Sequence, residues 1–211
     1  MKKGILFDLD GTLWDSAQAV ADSWNEALEK FTDFPYRTSK EQMYTFMGHT
    51  MEDIAIKFFN GETKERALEL IDICAVYEND YIAAHGGKLF DGVIETLKTL
   101  KDEGYFLAIV SNCQMGYIEA FLKYYKLDGY FDDTENYGRT LKDKDVNIRL
   151  VVDRNNLDKA VYVGDIMSDY NSTMKAGLPF IHAAYGFGTV PEGTPFINSI
   201  TELPEVVKKV I

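Results

Sequence analysis

The chain has 211 residues, of which 46% are hydrophobic, with 34 acidic side chains against 22 basic ones and a formal net charge of -12. This length suits one large domain, or a core domain with a smaller insert, and no low-complexity stretch argues against a packed core. A surface so acidic repels nucleic acid and anionic membrane, which excludes both as partners. It repels anionic substrates as well, so a site for a phosphorylated molecule must build positive potential locally.

Gly4-Ile5-Leu6-Phe7-Asp8-Leu9 reads as a short buried strand, closed by the turn signal Asp10-Gly11-Thr12. Asp8 and Asp10 interrupt this apolar run, so it is not a signal peptide. No stretch approaches the roughly 20 apolar residues that span a bilayer. Cys74 and Cys113 are too few for a disulfide framework and wrongly spaced for zinc, and they read as free thiols in a reducing compartment. The expected location is the cytoplasm.

From Asp15 to His85 the periodicity is helical and no strand is convincing. Ser16 is a candidate N-cap for a helix running to about Phe31. After the break at Pro35, further helices are expected over Ser39 to Met47, Met51 to Phe59 and Glu62 to Ala84. Gly86-Gly87 ends this region. Strands then alternate with helices: helix Phe90 to Glu103, strand Tyr105 to Val110, helix Tyr117 to Tyr125, weak strand Asp132 to Tyr137, helix Val146 to Asn155, strand Ala160 to Val163, helix Ser168 to Ala176 and strand Phe180 to Tyr185. Alternation of this kind implies an α/β fold whose parallel sheet is covered on both faces. The expected architecture is a Rossmann-like core, residues 1-14 and 86-211, interrupted after its first strand by a helical insert, residues 15-85. Ligands in such sheets bind at the carboxyl ends of the strands.

Four clusters of polar residues fall at or just beyond those ends. In Asp8-Leu9-Asp10-Gly11-Thr12-Leu13, one carboxylate can attack phosphorus and a second can protonate the leaving oxygen, while Gly11 lets the backbone approach the phosphoryl group. In Ile109-Val110-Ser111-Asn112, a hydroxyl and an amide follow a strand. Ser111 can donate to a phosphoryl oxygen, and taken alone it also reads as a helix N-cap. In Leu141-Lys142-Asp143-Lys144-Asp145, either lysine can neutralise phosphoryl charge, although such a run is usually a solvated loop. In Val163-Gly164-Asp165-Ile166-Met167-Ser168-Asp169, two carboxylates four residues apart can meet in one pocket, and such sets hold Mg²⁺.

In this order the four clusters resemble the haloacid dehalogenase-like hydrolase superfamily, in the branch of phosphoglycolate phosphatases and β-phosphoglucomutases, over nearly the whole chain. The resemblance implies that Asp8 is the nucleophile, Asp10 the general acid/base and Ser111 a phosphoryl-binding residue. Lys144, followed by a helix start, is the charge-stabilising lysine. Asp165 holds Mg²⁺ with the Asp8 carboxylate and the Asp10 carbonyl, and Asp169 orients the lysine or a metal-bound water. Gly11, Thr12 and Asn112 border the phosphate, and the helical insert is a cap that closes over the site. Asp145 stands where the family often has proline. Because Asp10 is present, phosphoester chemistry is favoured over carbon–halogen or phosphonate cleavage. Val20 replaces the cap histidine of the mutases, which favours water as the acceptor.

The expected activity is therefore Mg²⁺-dependent hydrolysis of a small phosphorylated metabolite of the phosphoglycolate type, by a monomer or homodimer. The rivals are a phosphomutase, an inorganic pyrophosphatase and a phospho-accepting signalling module without turnover. His49, in Met47-Gly48-His49-Thr50, is a candidate substrate contact from the cap. His85 and His182 read as structural, Cys113 as an inert thiol, and Tyr117 as one of several aromatics covering the sheet or the core–cap seam.

Overall fold

A computed structural model describes residues Met1–Ile211. Six parallel strands form the central sheet: β1 (Lys3–Phe7), β4 (Phe106–Ser111), β5 (Asp133–Asn136), β6 (Lys159–Gly164), β7 (Phe180–Ala183) and β8 (Phe196–Ile197), in the order β5-β4-β1-β6-β7-β8. The remaining two, β2 (Trp14–Asp15) and β3 (Lys88–Leu89), make a small antiparallel ribbon where the chain leaves the sheet region and returns to it.

Side chains alternate across the central strands, as the period of two requires. Ile5 and Phe7 of β1 join Leu107 and Ile109 of β4 and Val161 and Val163 of β6 in a core on one face. Leu6, Ala108 and Tyr162 point to the other. The first face is closed by α5 (Val93–Asp102), α6 (Tyr117–Tyr125) and α10 (Leu203–Val210), the second by α8 (Lys144–Arg154) and the end of α9 (Met167–Lys175). Both faces being dry, β1, β4 and β6 read as largely unbroken apolar runs rather than alternating ones, which is why they are legible in the sequence, whereas the edge strand β5, Asp133-Thr134-Glu135-Asn136, carries no such run.

Between β2 and β3 the chain builds α1 (Ala17–Phe31), α2 (Lys40–Tyr44), α3 (Met51–Phe58) and α4 (Lys64–His85). The four helices share a separate apolar cluster. In α1, Ala17, Val20, Ala21, Trp24 and Leu28 fall on one stripe, the spacing that turns a single helix face inward. Helix α2 is shorter than expected because after Tyr44 the bonding tightens to three-residue turns, Thr45 N–H to the Gln42 carbonyl and Phe46 N–H to the Met43 carbonyl, before Gly48 at φ +79. A short helix α7 (Tyr137–Thr140) follows β5, and α8 begins at Lys144 rather than Val146. The C-terminal elements β8 and α10 were not anticipated. No helix is long and apolar enough to cross a membrane.

Candidate active site

Register gathers the site. Phe7 of β1 lies level with Ile109 of β4 and Val163 of β6, so the residues that follow emerge together at the carboxyl edge of the sheet. Asp8 comes next after β1, its N–H donating to the Val163 carbonyl at 2.8 Å. Ser111 is the last residue of β4, and Asp165 follows β6 directly. Helix α6 starts at Tyr117 behind Gly116, so Ser111 is not its N-cap.

Lys144 occupies the first turn of α8 and is buried, whereas Lys142 is exposed. The Lys144 ammonium donates to Asp8 Oδ1 at 2.8 Å and to Asp169 Oδ1 at 2.6 Å. The other oxygen of Asp169 accepts the N–H groups of Asp165, at 3.2 Å, and Ile166, at 3.3 Å. Both Asp169 oxygens are thus engaged in fixing the lysine and the loop after β6.

Asp165 is held differently. Its Oδ2 accepts the Phe187 N–H at 2.7 Å, while its Oδ1 is buried without a hydrogen-bond partner. Gly11, at φ +81, packs against this carboxylate so closely that a Cβ would collide with it and with the Phe187 ring. The close approach that Gly11 permits is therefore to Asp165, and neither Gly11 nor Thr12 lines the cavity. The Thr12 hydroxyl is buried without a partner and its carbonyl accepts from Tyr185 at 2.8 Å.

Carboxylate oxygens of Asp8, Asp165 and Asp169 lie within 4.8 Å of one another, and all three residues are buried. One lysine does not balance them. Burial, then the charge of Asp169, push Asp8 up to about 7 against the pull of Lys144, and burial with the charges of Asp169 and Asp8 pushes Asp165 up to about 9. An orphaned oxygen on Asp165 and a surplus of buried negative charge are what a hard divalent cation with oxygen ligands would satisfy, so the residues fit Mg²⁺.

The Asp10 side chain does not join that cluster. Its Oδ1 accepts the Ser16 hydroxyl at 2.5 Å and the Tyr117 hydroxyl at 2.8 Å. Burial holds the carboxyl above the ordinary carboxylate range, with the two hydroxyl bonds opposing. Sequence reasoning missed both donors. Ser16 is at the expected N-cap position but makes no side-chain cap bond, and Tyr117 lies 107 positions from Asp10.

Asp8, Asp10, Ser111 and Asn112 face a cavity of about 50 Å³ roofed by the four-helix region, where His49, Val20 and Glu78 also line it. Lys144, Asp165 and Asp169 flank Asp8 without reaching the cavity wall. Asn112 donates its amide to the Gly48 carbonyl at 2.9 Å, tying core to roof, and its Oδ1 is left without a partner. His49 is exposed on its outer side, and Lys57 Nζ lies 3.4 Å from both ring nitrogens; burial, then Lys57, depress its pKa. Burial pushes the Cys113 thiol up, as expected of an inert cysteine.

At the carboxyl ends of a parallel sheet of an α/β fold, three buried carboxylates and one lysine gather beside a cavity roofed by four helices. The haloacid dehalogenase-like hydrolase family matches residues 5–183, and the chain belongs to that family. It is 30% identical over 199 residues to a phosphoglycolate phosphatase of Mannheimia succiniciproducens, covering 88% of this chain and 87% of the relative. To the pyrophosphatase PpaX of Bacillus cereus it is 30% identical over 131 residues, 61% of this chain and 56% of that one. The crystal structure of a "predicted phosphatase" from Clostridium acetobutylicum superposes with a TM-score of 0.79 at 28% identity, covering 99% of each chain. This chain is a phosphatase enzyme of the family.

Proposed function

We propose that this phosphatase hydrolyses a small phosphate monoester through an aspartyl phosphate on Asp8, with Mg²⁺ as cofactor. The observation that carries this reading is the pairing of two unlike carboxyls at one cavity. Asp8 has one oxygen anchored by Lys144, and Asp10 has one oxygen anchored by two hydroxyls. In each, the other oxygen is left for chemistry.

Asp8 Oδ2 attacks phosphorus, and the bond from phosphorus to the leaving oxygen breaks. Asp10, its carboxyl raised by burial, acts in its acid form and gives its proton to that oxygen. Water then attacks phosphorus, Asp10 takes its proton, and the Asp8 acyl phosphate bond breaks to release inorganic phosphate. Lys144 holds Asp8 in line throughout and offsets negative charge beside the phosphoryl group. The Ser111 hydroxyl, which accepts from the Cys113 N–H at 3.3 Å, keeps its own proton to donate to a phosphoryl oxygen. The N–H groups of Leu9 and Asp10 take no acceptor within the chain and can do the same. Mg²⁺, held by the carboxylates of Asp8 and Asp165 and the Asp10 carbonyl, would neutralise phosphoryl charge.

Val20 is buried in the cavity where a transferring histidine would stand, which favours water over a sugar hydroxyl as the acceptor. Asp8→Asn should abolish release of phosphate from small monoesters in Mg²⁺ while the melting temperature is retained. Undiminished turnover in that variant would overturn the mechanism.

A further inference from the structure

Glu78 lies on α4, far from every sequence motif, yet it is 3% exposed and lines the same cavity as Asp8 and Asp10. Its neighbours there include Trp24, Met43, Phe46 and Ile54 of the apolar helical cluster. A carboxyl in such a wall is destabilising unless something meets it, and packing alone would be served better by a hydrocarbon side chain. The protein meets it only in part. The Trp24 indole N–H donates to Oε2, and the Gln114 side chain lies beside it. Gln114 Nε2 donates one proton to Asn79 Oδ1 at 3.3 Å and holds its second N–H on the Glu78 side, but the Trp24 bond to Oε2 is the one hydrogen bond formed to the carboxyl, and Oε1 accepts none.

The rest of the wall sharpens the point. No lysine or arginine lines the cavity, and its single basic side chain, His49, has its protonation disfavoured by burial and by Lys57. A leaving group bearing a carboxylate or a second phosphate would face Glu78 with no counter-charge. A leaving group bearing a hydroxyl or an ammonium would supply the missing donor.

We propose that Glu78 is a specificity residue that selects phosphate monoesters whose alcohol portion carries a hydrogen-bond donor, and that it rejects those carrying a second anion. This rests on the phosphatase reading above and narrows it. It departs from the substrate named for the Mannheimia relative, whose phosphoglycolate ends in a carboxylate. The small cavity favours a compact leaving group. Burial pushes Glu78 up to about 8, and a bound ammonium would draw it back toward the ionised form.

The test uses the full chain with Mg²⁺ and compares kcat/KM for four compact esters: phosphoethanolamine (ammonium), glycerol 3-phosphate (hydroxyl), 2-phosphoglycolate (carboxylate) and propyl phosphate (no polar end). Assayed above about pH 8, where Glu78 is ionised, donor-bearing esters should exceed 2-phosphoglycolate by about tenfold or more, since like charges brought together in a desolvated site cost heavily. Which donor leads separates ammonium from hydroxyl. Glu78→Gln, which keeps the acceptor for Trp24, should lower the phosphoethanolamine-to-propyl ratio and raise the phosphoglycolate-to-propyl ratio, each by about tenfold. A wild-type preference for 2-phosphoglycolate, as when a protonated Glu78 donates to the carboxylate, overturns the proposal while Asp8-dependent turnover leaves the phosphatase reading standing. Ratios unmoved by Glu78→Gln overturn it also. Turnover that survives Asp8→Asn removes the phosphatase reading and this proposal together.

Discussion

The Tyr117 hydroxyl donates to Asp10 Oδ1 at 2.8 Å, joining the start of α6 to the loop after β1. With Ser16 on the same oxygen, Oδ1 is taken up by two donors and Oδ2 is the oxygen left to carry a proton. In the proposed mechanism this orients the acid before substrate arrives, and preorganisation of this kind lowers the cost of proton transfer.

Tyr117→Phe removes one of the two anchors and leaves the ring packing against Trp14 intact, at 5.9 Å between centroids. We expect kcat to fall by about tenfold, a fraction of the full contribution of a general acid, with little change in KM. The pH–rate profile should move as well, because Asp10 loses a donor that favours its ionised form. A change in KM alone would assign Tyr117 to binding instead.

Mg²⁺ should stabilise the folded chain independently of activity. At about 100 times Kd the gain is about 2.7 kcal/mol, read as a rise in melting temperature after addition to chelator-treated protein. Asp165→Asn should lose most of that rise, because it removes a charge from the carboxylate whose Oδ1 is orphaned. An equal rise in wild type and variant would place the cation elsewhere.

Gly11→Ala should damage both stability and turnover. The backbone sits at φ +81, which costs a side chain about 1–2 kcal/mol, and the new Cβ would drive Asp165 from its position. Gly104→Ala supplies the comparison, for its φ is +85 and a Cβ there meets nothing within 4 Å. Denaturant midpoints should fall in both variants, and kcat should fall only at Gly11.

Glu78 also predicts a pH dependence of stability. The groups facing it are the Trp24 indole, the Gln114 amide, the Asp10 charge, the Tyr117 hydroxyl and the Cys74 thiol, and its value rises from 4.5 to about 8 on folding, mainly through burial. Between those values the folded chain binds a proton that the unfolded chain has released, so this contribution is full below 4.5 and lost as pH rises through about 8. Glu78→Gln, which cannot titrate, should therefore gain melting temperature relative to wild type as pH rises from about 5 to about 8. A constant offset between the two would mean that Glu78 does not change protonation on folding.

What the sequence determined by itself was everything carried by near neighbours in the chain. Apolar runs ending in Asp8, Ser111 and Asp165 announced strands buried on both faces with chemistry at their carboxyl ends, and the helical period of residues 15–85 announced the insert. Lys144 was separable from Lys142 only by resemblance, and folding shows the physical difference: one turn at the start of α8 sends Lys144 inward to Asp8 and leaves Lys142 in solvent. The ribbon of Trp14–Asp15 with Lys88–Leu89 was illegible because two-residue strands carry no period. Only tertiary structure put Ser16 and Tyr117 on Asp10, the Phe187 N–H on Asp165, and Glu78 in the cavity roof. Those partners are chosen by how helices seat on the sheet and on each other. That choice depends on the packing of whole faces rather than on any local pattern, so a glutamate on a long helix reads as solvated until the fold closes over it.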